Sequence, residues 1–398
     1  MAMYVAGRAG RDFPTSPEAF QPTFQGYNGG GYGGFQNGFV AKLSPDWSKL
    51  VWASYVGVAQ LCRDIAIDAS CGIYLPLGYP NKGNLPPSNW FTNAFQNTTK
   101  GGTECGAIKV SNDRTKVLWA TWIGGSGNDS EAASIRVDVN GYVSLYFTTF
   151  SSDMPTTDGA FDRTYNGDAD GFVARLMPDG SGLVFGTYIG GNKGEYISTH
   201  NLAVDLDGNV YIATQTSSPD FQATTGVVQA KSGGGNTDMA VAKFSPTGAL
   251  LAGTYLGGSG TENSDGVYVD SDGNVFITGE TASNNFPITS NAYQKTFGGK
   301  GDVVVMRLSA DFRQLLYSTY MGGPSYDNGW SGFLGQDGSL YVTGSTDGGG
   351  WPTQNAYQNV FAGGPADWGA GDVVLAKFAP LQGNSGKIPV EQKGKLGN

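Results

Sequence analysis

A strand that ends in a basic residue followed by an apolar one returns six times along this chain: GFVAKL at 38–43, GAIKV at 106–110, GFVARL at 171–176, MAVAKF at 239–244, VVVMRL at 303–308 and VVLAKF at 373–378. The basic positions Lys42, Lys109, Arg175, Lys243, Arg307 and Lys377 are 67, 66, 68, 64 and 70 residues apart. A fixed period of this length makes the chain an array of one structural unit rather than a sequence of unrelated domains. Six units fill its 398 residues.

Each unit repeats more than this mark. A turn such as SPDW, MPDG or SPTG follows it, and then a strand ending in an aromatic residue and glycine: ASYVG, ATWIGG, GTYIGG, GTYLGG and STYMGG. A hairpin comes next, as in VDSDGNVFITGETAS at 269–283. Asp270-Ser271-Asp272-Gly273-Asn274 is rich in oxygen, like a calcium loop, but a run of apolar, β-branched residues begins at Val275, where a calcium loop would supply further ligands. Asp-Gly and Gly-Asn suit the positive φ angles of a tight turn, so the stretch reads as a hairpin whose hydrogen bonding is expected at Asp272. The same arrangement starts at Asp68, Asp138, Asp205 and Gln336, and MYVAG at 3–7 matches only its second half. Four strands per unit of about 65 residues, with 63 glycines and only 15% charged residues, predict an all-β six-bladed β-propeller of four-stranded antiparallel blades. The expected blades are about 3–57, 58–125, 126–191, 192–258, 259–323 and 324–380, with a tail at 381–398. The first and last are incomplete, so 22 of 24 strands are accounted for. An open ring would invite self-association through its edge blades. The expected closure is blade one packing on blade six with the tail over the seam.

These segments resemble the bacterial β-propeller repeats called SBBP, which carry a TYLGG segment, a VDxxGNVYVTG hairpin, an FPTTxxAYQ loop and a strand like DAFVAKL. TYLGG, VDSDGNVFITG, FPITSNAYQKTFGG and GDVVVMRL of the fifth unit match best, and the resemblance covers residues 3–380. It implies a propeller from a large secreted or surface-associated bacterial protein, hence an extracellular or cell-surface location, and implies nothing definite about activity. The second unit departs furthest, with all three cysteines and the insertion NKGNLPPSNW.

With strands named A to D from the channel to the rim, the A–B and C–D turns are short, and the B–C and D–A connections are long. Binding is expected on the long-loop face. The D–A loops are acidic, carrying Asp64, Asp129, Glu131, Glu195, Glu262, Asp265 and Asp327. They read either as solvated loop charge or as a carboxylate funnel for Ca²⁺, with Asp129, Glu131, Glu262 and Asp327 as metal ligands and Asp64 and Asp265 as ligand-binding residues. The aromatics repeated in the B–C loops, such as Phe286, Trp351 and Tyr357, read as plugs over their own blades. Trp330, Trp368 and Tyr326 have no counterparts in other units, nor do Tyr27, Tyr32 and Phe35, and they are the candidates for stacking on sugar rings or packing on a partner.

Signatures of catalysis are scarce. His200 is the only histidine, which excludes a multi-histidine metal site, and it is placed at the channel mouth as a further ligand-binding candidate. No GxSxG, HExxH or Walker loop is present. Carboxylate-only hydrolysis needs no such signature and stays open. The net charge of −10 argues against nucleic acid, and no apolar run is long enough for membrane insertion. Strand order leaves Cys62–Cys105 as the only plausible intrachain disulfide, with Cys71 free. The expected function is non-catalytic binding of a glycan, surface polymer or protein partner. A calcium-dependent polysaccharide- or lactone-cleaving enzyme and a structural subunit of a surface assembly are the alternatives.

Overall fold

The computed structural model describes residues 3–28, 35–57, 62–79, 85–130, 133–198, 200–335, 337–363 and 371–379. The fold is an all-β six-bladed propeller of antiparallel blades. Blade five is complete, with strands A to D at Glu262–Val269, Val275–Thr281, Asp302–Leu308 and Leu315–Met321 in that spatial order. Blades two, three and four repeat it, although strand A of blade four is split into Glu195–Tyr196 and Leu202–Val204. Among the described residues blade one has strands B, C and D, at Met3–Ala9, Phe35–Leu43 and Leu50–Val56, and blade six has A, B and C, at Asp327–Leu334, Leu340–Thr346 and Asp372–Phe378. The tail lies outside the described residues. The chain divides into two compact units, Met1–Tyr165 with Ala169–Ile189, holding blades one to three, and Asn166–Asp168 with Gly190–Pro389, holding blades four to six.

The strand composition follows from burial on both faces. In blade five, Ile277, Val304 and Met306 pack with Tyr211, Val241 and Leu256 of blade four, whereas Phe276, Val303 and Val305 pack with Leu334, Leu340 and Val342 of blade six. Neighbouring residues of a strand point to opposite faces, so a strand enclosed by two blades is apolar at every position.

The basic mark coincides with a β-bulge. Register shifts fall between Lys42 and Leu43, Lys109 and Val110, Arg175 and Leu176, Lys243 and Phe244, and Arg307 and Leu308. From there the basic side chain crosses strand B, over an aromatic ring such as Phe276, Tyr142 or Tyr74, towards the A–B turn. Arg307 Nη2 donates to Asp270 Oδ2 at 3.1 Å, both side chains being buried. Arg175 makes the same bond to Asp138, and Lys109 faces Asp68 at 3.7 Å. Asp270 also accepts the N–H groups of Asp272 and Asn274 at 3.0 and 2.9 Å. The oxygen-rich stretch is therefore a turn whose carboxylate is saturated by donors, and the side chain that carries it is Asp270, where the sequence pointed to Asp272.

The second turn departs from this pattern at one point. Cys71 sits at φ 67°, where Gly141, Gly208, Gly273 and Gly338 occupy the same turn. All three cysteines are free thiols, Cys62 and Cys105 buried and Cys71 exposed, and burial pushes the Cys62 and Cys105 thiols up.

Two expectations follow from these contacts. Asp270→Ala leaves a buried guanidinium without its carboxylate and should cost about 3–5 kcal/mol, whereas Asp272→Ala should stay within about 0.5 kcal/mol, as read from urea unfolding curves. Cys71→Gly relieves a left-handed position and should stabilise the fold by about 1 kcal/mol. A thiol reagent should label Cys71 alone in the native protein and all three cysteines after denaturation.

Candidate functional site

The acidic residues expected at the channel mouth are dealt out one per blade corner. Asp129 accepts bonds from the N–H of Gly125 and the hydroxyls of Thr149 and Ser151. Glu262 accepts from Gly258 N–H, Thr281 and Ser283, Glu195 from Gly191 N–H and Thr216, and Asp327 from Gly323 N–H. All four carboxylates are buried. Each corner in blades two, four and five also brings up the first carboxylate of strand C, Glu104, Asp238 or Asp302: the loop's main chain binds all three, joined by Gln96 and Gln294 at Glu104 and Asp302 and by the Ser232 hydroxyl at Asp238. A glycine separates the two acids, because a Cβ at Gly322 would come within 2.6 Å of Asp302 Oδ1 and 2.8 Å of Asp327 Oδ2. Burial, with the neighbouring charge adding to it, pushes Glu104 up to about 7 and Asp302 up to about 6. These are corner fastenings held by the fold's own donors, although one oxygen each of Asp238, Asp302 and Asp327 is buried without a hydrogen-bond partner. Among the described residues no group of three or more His, Cys, Asp or Glu side chains is placed to hold a metal ion.

A different acidic pair breaks the repeat. Strand A of blade five is interrupted between Ser264 and Gly266, and strand A of blade six between Gly329 and Ser331. The residues at these bulges are Asp265 and Trp330, so the same local irregularity re-aims one carboxyl and one indole in adjacent blades. Asp265 is 7% exposed, and its Oδ2 meets no hydrogen-bond partner. Burial, with the charge of Glu280 adding to it, holds this carboxyl well above the usual carboxylate range. Glu280, on strand B of blade five, accepts from Asn263 Nδ2 at 2.5 Å and from Tyr326 Oη at 3.3 Å. The Trp330 indole N–H donates to Ser345 Oγ at 3.0 Å and leaves the ring 52% exposed. The arrangement is one buried and one half-buried acidic side chain, both held above the usual carboxylate range by burial, with the exposed Tyr326 bonded to one of them.

The other sequence candidates fall elsewhere. Asp64 is buried in the first unit, where it bonds Arg136 at 2.6 Å and the Ile135 N–H at 3.0 Å and so ties strand A of blade two to that of blade three. His200 has φ 57° in the break of blade four's strand A, and its carbonyl accepts the Val267 N–H. Trp368, Glu131 and Tyr32, and the side chains of Tyr27 and Phe35, lie outside the described residues. The structure thus brings Asp265 and Tyr326 together around Glu280, while Trp330, four residues along the chain from Tyr326, is held by Ser345. Sequence reasoning missed Glu280 and Asn263, although an acidic residue inside the otherwise apolar strand VFITGET is a visible signal.

Comparison with known proteins agrees with the repeat. Residues 253–287 match the β-propeller repeat family SBBP, and residues 157–182 match a β-propeller domain of unknown function, DUF5122. No curated protein matches the chain. Solved structures similar to it include a protein of unknown function from Dyadobacter fermentans, at 11% identity over 72% of this chain and 75% of that one with a TM-score of 0.40. A luciferin-regenerating enzyme aligns at 13% identity over 86% and 87%, TM-score 0.37, and a protein from Lactobacillus plantarum at 11% over 95% and 97%, TM-score 0.34.

The paired corner acids give stability a definite pH dependence. Glu104 and Asp302 bind their protons more tightly folded than unfolded, so their contribution is complete below their ordinary values of 4.5 and 3.8 and is lost as pH rises through about 6 to 7. Urea midpoints measured from pH 4 to 8 should fall across that window, and Glu104→Gln with Asp302→Asn should flatten the fall.

Proposed function

We propose that this chain, built of SBBP-type β-propeller repeats, is a non-catalytic binding module of an extracellular or cell-surface bacterial protein. It takes a hydroxyl-rich ligand, a glycan or surface polymer, on strand A of blade six. The observation that carries the reading is the exposure of Trp330 and Tyr326 in blade six, with Tyr326 bonded to Glu280. An indole held by a hydrogen bond to Ser345 presents a fixed apolar face, as the C–H face of a sugar requires, and the exposed Tyr326 offers a hydroxyl for hydrogen bonding. Such a surface spends little side-chain entropy on binding, because its members are already tied.

Binding is favoured over hydrolysis by the position of the acids. Asp265 is enclosed, and Glu280 already receives two donors, so neither stands open towards a scissile bond.

A glycan array followed by calorimetry on the best hit tests this. Trp330→Ala and Tyr326→Ala should each weaken binding about tenfold, the effect of losing one aromatic anchor of about 1.4 kcal/mol, with unchanged urea unfolding. Turnover of the hit that Asp265→Asn abolishes would replace this reading with the enzymatic one. Affinity unchanged in both aromatic variants would remove the site.

A further inference from the structure

The longest loop of each repeat is held by its fourth strand, and in blade six the loop is prepared for a strand that is not there among the described residues. In blade five the Tyr320 N–H donates to the carbonyl of Gln294 at 3.2 Å, while the Gln294 N–H donates to Thr319 Oγ1 at 2.8 Å. Gln294 Oε1 accepts the Gly322 N–H at 3.1 Å, and the Tyr320 hydroxyl donates to Ser283 O while accepting the Phe286 N–H. The carbonyl and N–H bonds recur at Gln21 with Ser54 and Tyr55, Gln96 with Thr121 and Trp122, Asp162 with Thr187 and Tyr188, and Gln229 with Thr254 and Tyr255. The strands that fit share a small residue, then Thr or Ser, an aromatic residue, an aliphatic one and glycine. In two of these strands the loop backbone comes so close that only glycine fits, since a Cβ at Gly253 would come within 2.2 Å of Gln222 O and one at Gly186 within 2.5 Å of Pro155 O, while Ala53, Ala120 and Ser318 fill the place in the others.

Blade six has the receiving half. Gln358 Nε2 donates to Asp372 Oδ2 at 3.0 Å and Val360 O at 3.1 Å, as Gln294 Nε2 does to Asp302 Oδ2 and Thr296 O, both at 3.0 Å. The Ala362 N–H is fixed to Asp372 just as the Gly298 N–H is to Asp302. Among the described residues strand C, Asp372–Phe378, pairs on one side only, with Leu340–Thr346. Beside it runs a groove of about 1210 Å³, lined by Tyr317 and Met321 of blade five and by Trp351, Tyr357, Gln358 and Leu375 of blade six.

We propose that this groove binds an extended segment of another polypeptide by strand addition to Asp372–Phe378, and that it selects the pattern small–Thr/Ser–aromatic–aliphatic–Gly. The occupant is argued from the five occupied grooves of the same chain, which set both the hydrogen bonds and the side-chain code. The chain's own tail does not carry that code: residues 380–398 contain no Thr and no aromatic residue. Strand C supplies main-chain bonds, which give affinity, and the loop supplies the pockets, which give selectivity. The proposal stands independently of the ligand site on strand A.

The probe is a fluorescent peptide copying residues 315–323, LLYSTYMGG, titrated into the full chain, with peptides carrying Ser318→Leu and Tyr320→Ala as controls. Saturable binding at least tenfold tighter than either control is expected, together with slowed amide hydrogen exchange of 372–378. On the protein side, Gln358→Ala should weaken the peptide at least fivefold while leaving the unfolding midpoint unchanged. Equal binding of all three peptides would overturn the proposal. So would exchange of 372–378 that is already slow in the free monomer, which would assign the groove to the tail, or slow exchange that appears only with rising protein concentration, which would assign it to a second copy.

Discussion

The structure depends on the exchange of hydrogen bonds between the B–C loop and strand D. A loop of about twenty residues on a small blade would ordinarily carry main-chain groups that only water could satisfy. Here one residue, Gln294 in blade five, is bound through its carbonyl, its N–H and its side-chain oxygen to Tyr320, Thr319 and Gly322 of the strand pattern Thr-Tyr-Met-Gly. The tyrosine hydroxyl then fastens the point where the loop leaves strand B. The aromatic residues at the head of the loop pack on that same tyrosine, as Phe286 and Phe297 do on Tyr320. Loop and strand are thereby fastened together, and the buried aromatic Phe286 is committed to structure, whereas Tyr293 and Tyr357 stay exposed.

Charge is handled in the same local manner. An acidic chain with buried carboxylates at nearly every corner would unfold itself by desolvation and repulsion unless each acid were met by donors. Glu262 is met by the Gly258 N–H of the GG dipeptide and by the Thr281 and Ser283 hydroxyls that follow strand B, and Asp129 by the same kind of set. The glycines are needed for approach, since a side chain at Gly322 would occupy the space where two carboxylates converge. At the opposite end of the blade the Asp270–Arg307 pair anchors the hairpin turn.

Specialisation comes where the repeat is interrupted. The bulges in strand A of blades five and six free one residue each from the ladder, and those residues, Asp265 and Trp330, are unlike their counterparts elsewhere. A bulge costs the sheet one pair of hydrogen bonds and gives a side chain a direction that the regular pleat does not offer. The scaffold can therefore be constant while its inner wall varies.

The spacing of Lys42, Lys109, Arg175, Lys243, Arg307 and Lys377 determined the number of blades, and the turn and strand patterns determined their order, because period and alternation are local properties of a chain. Trp330 and Tyr326 were visible as exceptions to the repeat for the same reason. Tertiary structure alone decided that Asp129, Glu262 and Asp327 are each buried among donors at a blade corner, since which donors surround a carboxylate depends on residues about twenty positions away along the chain. It also decided that Asp270 rather than Asp272 carries its turn, a choice made by the reach of Arg307 across strand B. Glu280 joined Asp265 and Tyr326 only through the pairing of strands and the stacking of blades, because 46 residues separate Glu280 from Tyr326 along the chain and no local pattern encodes which side chains two adjacent blades bring face to face.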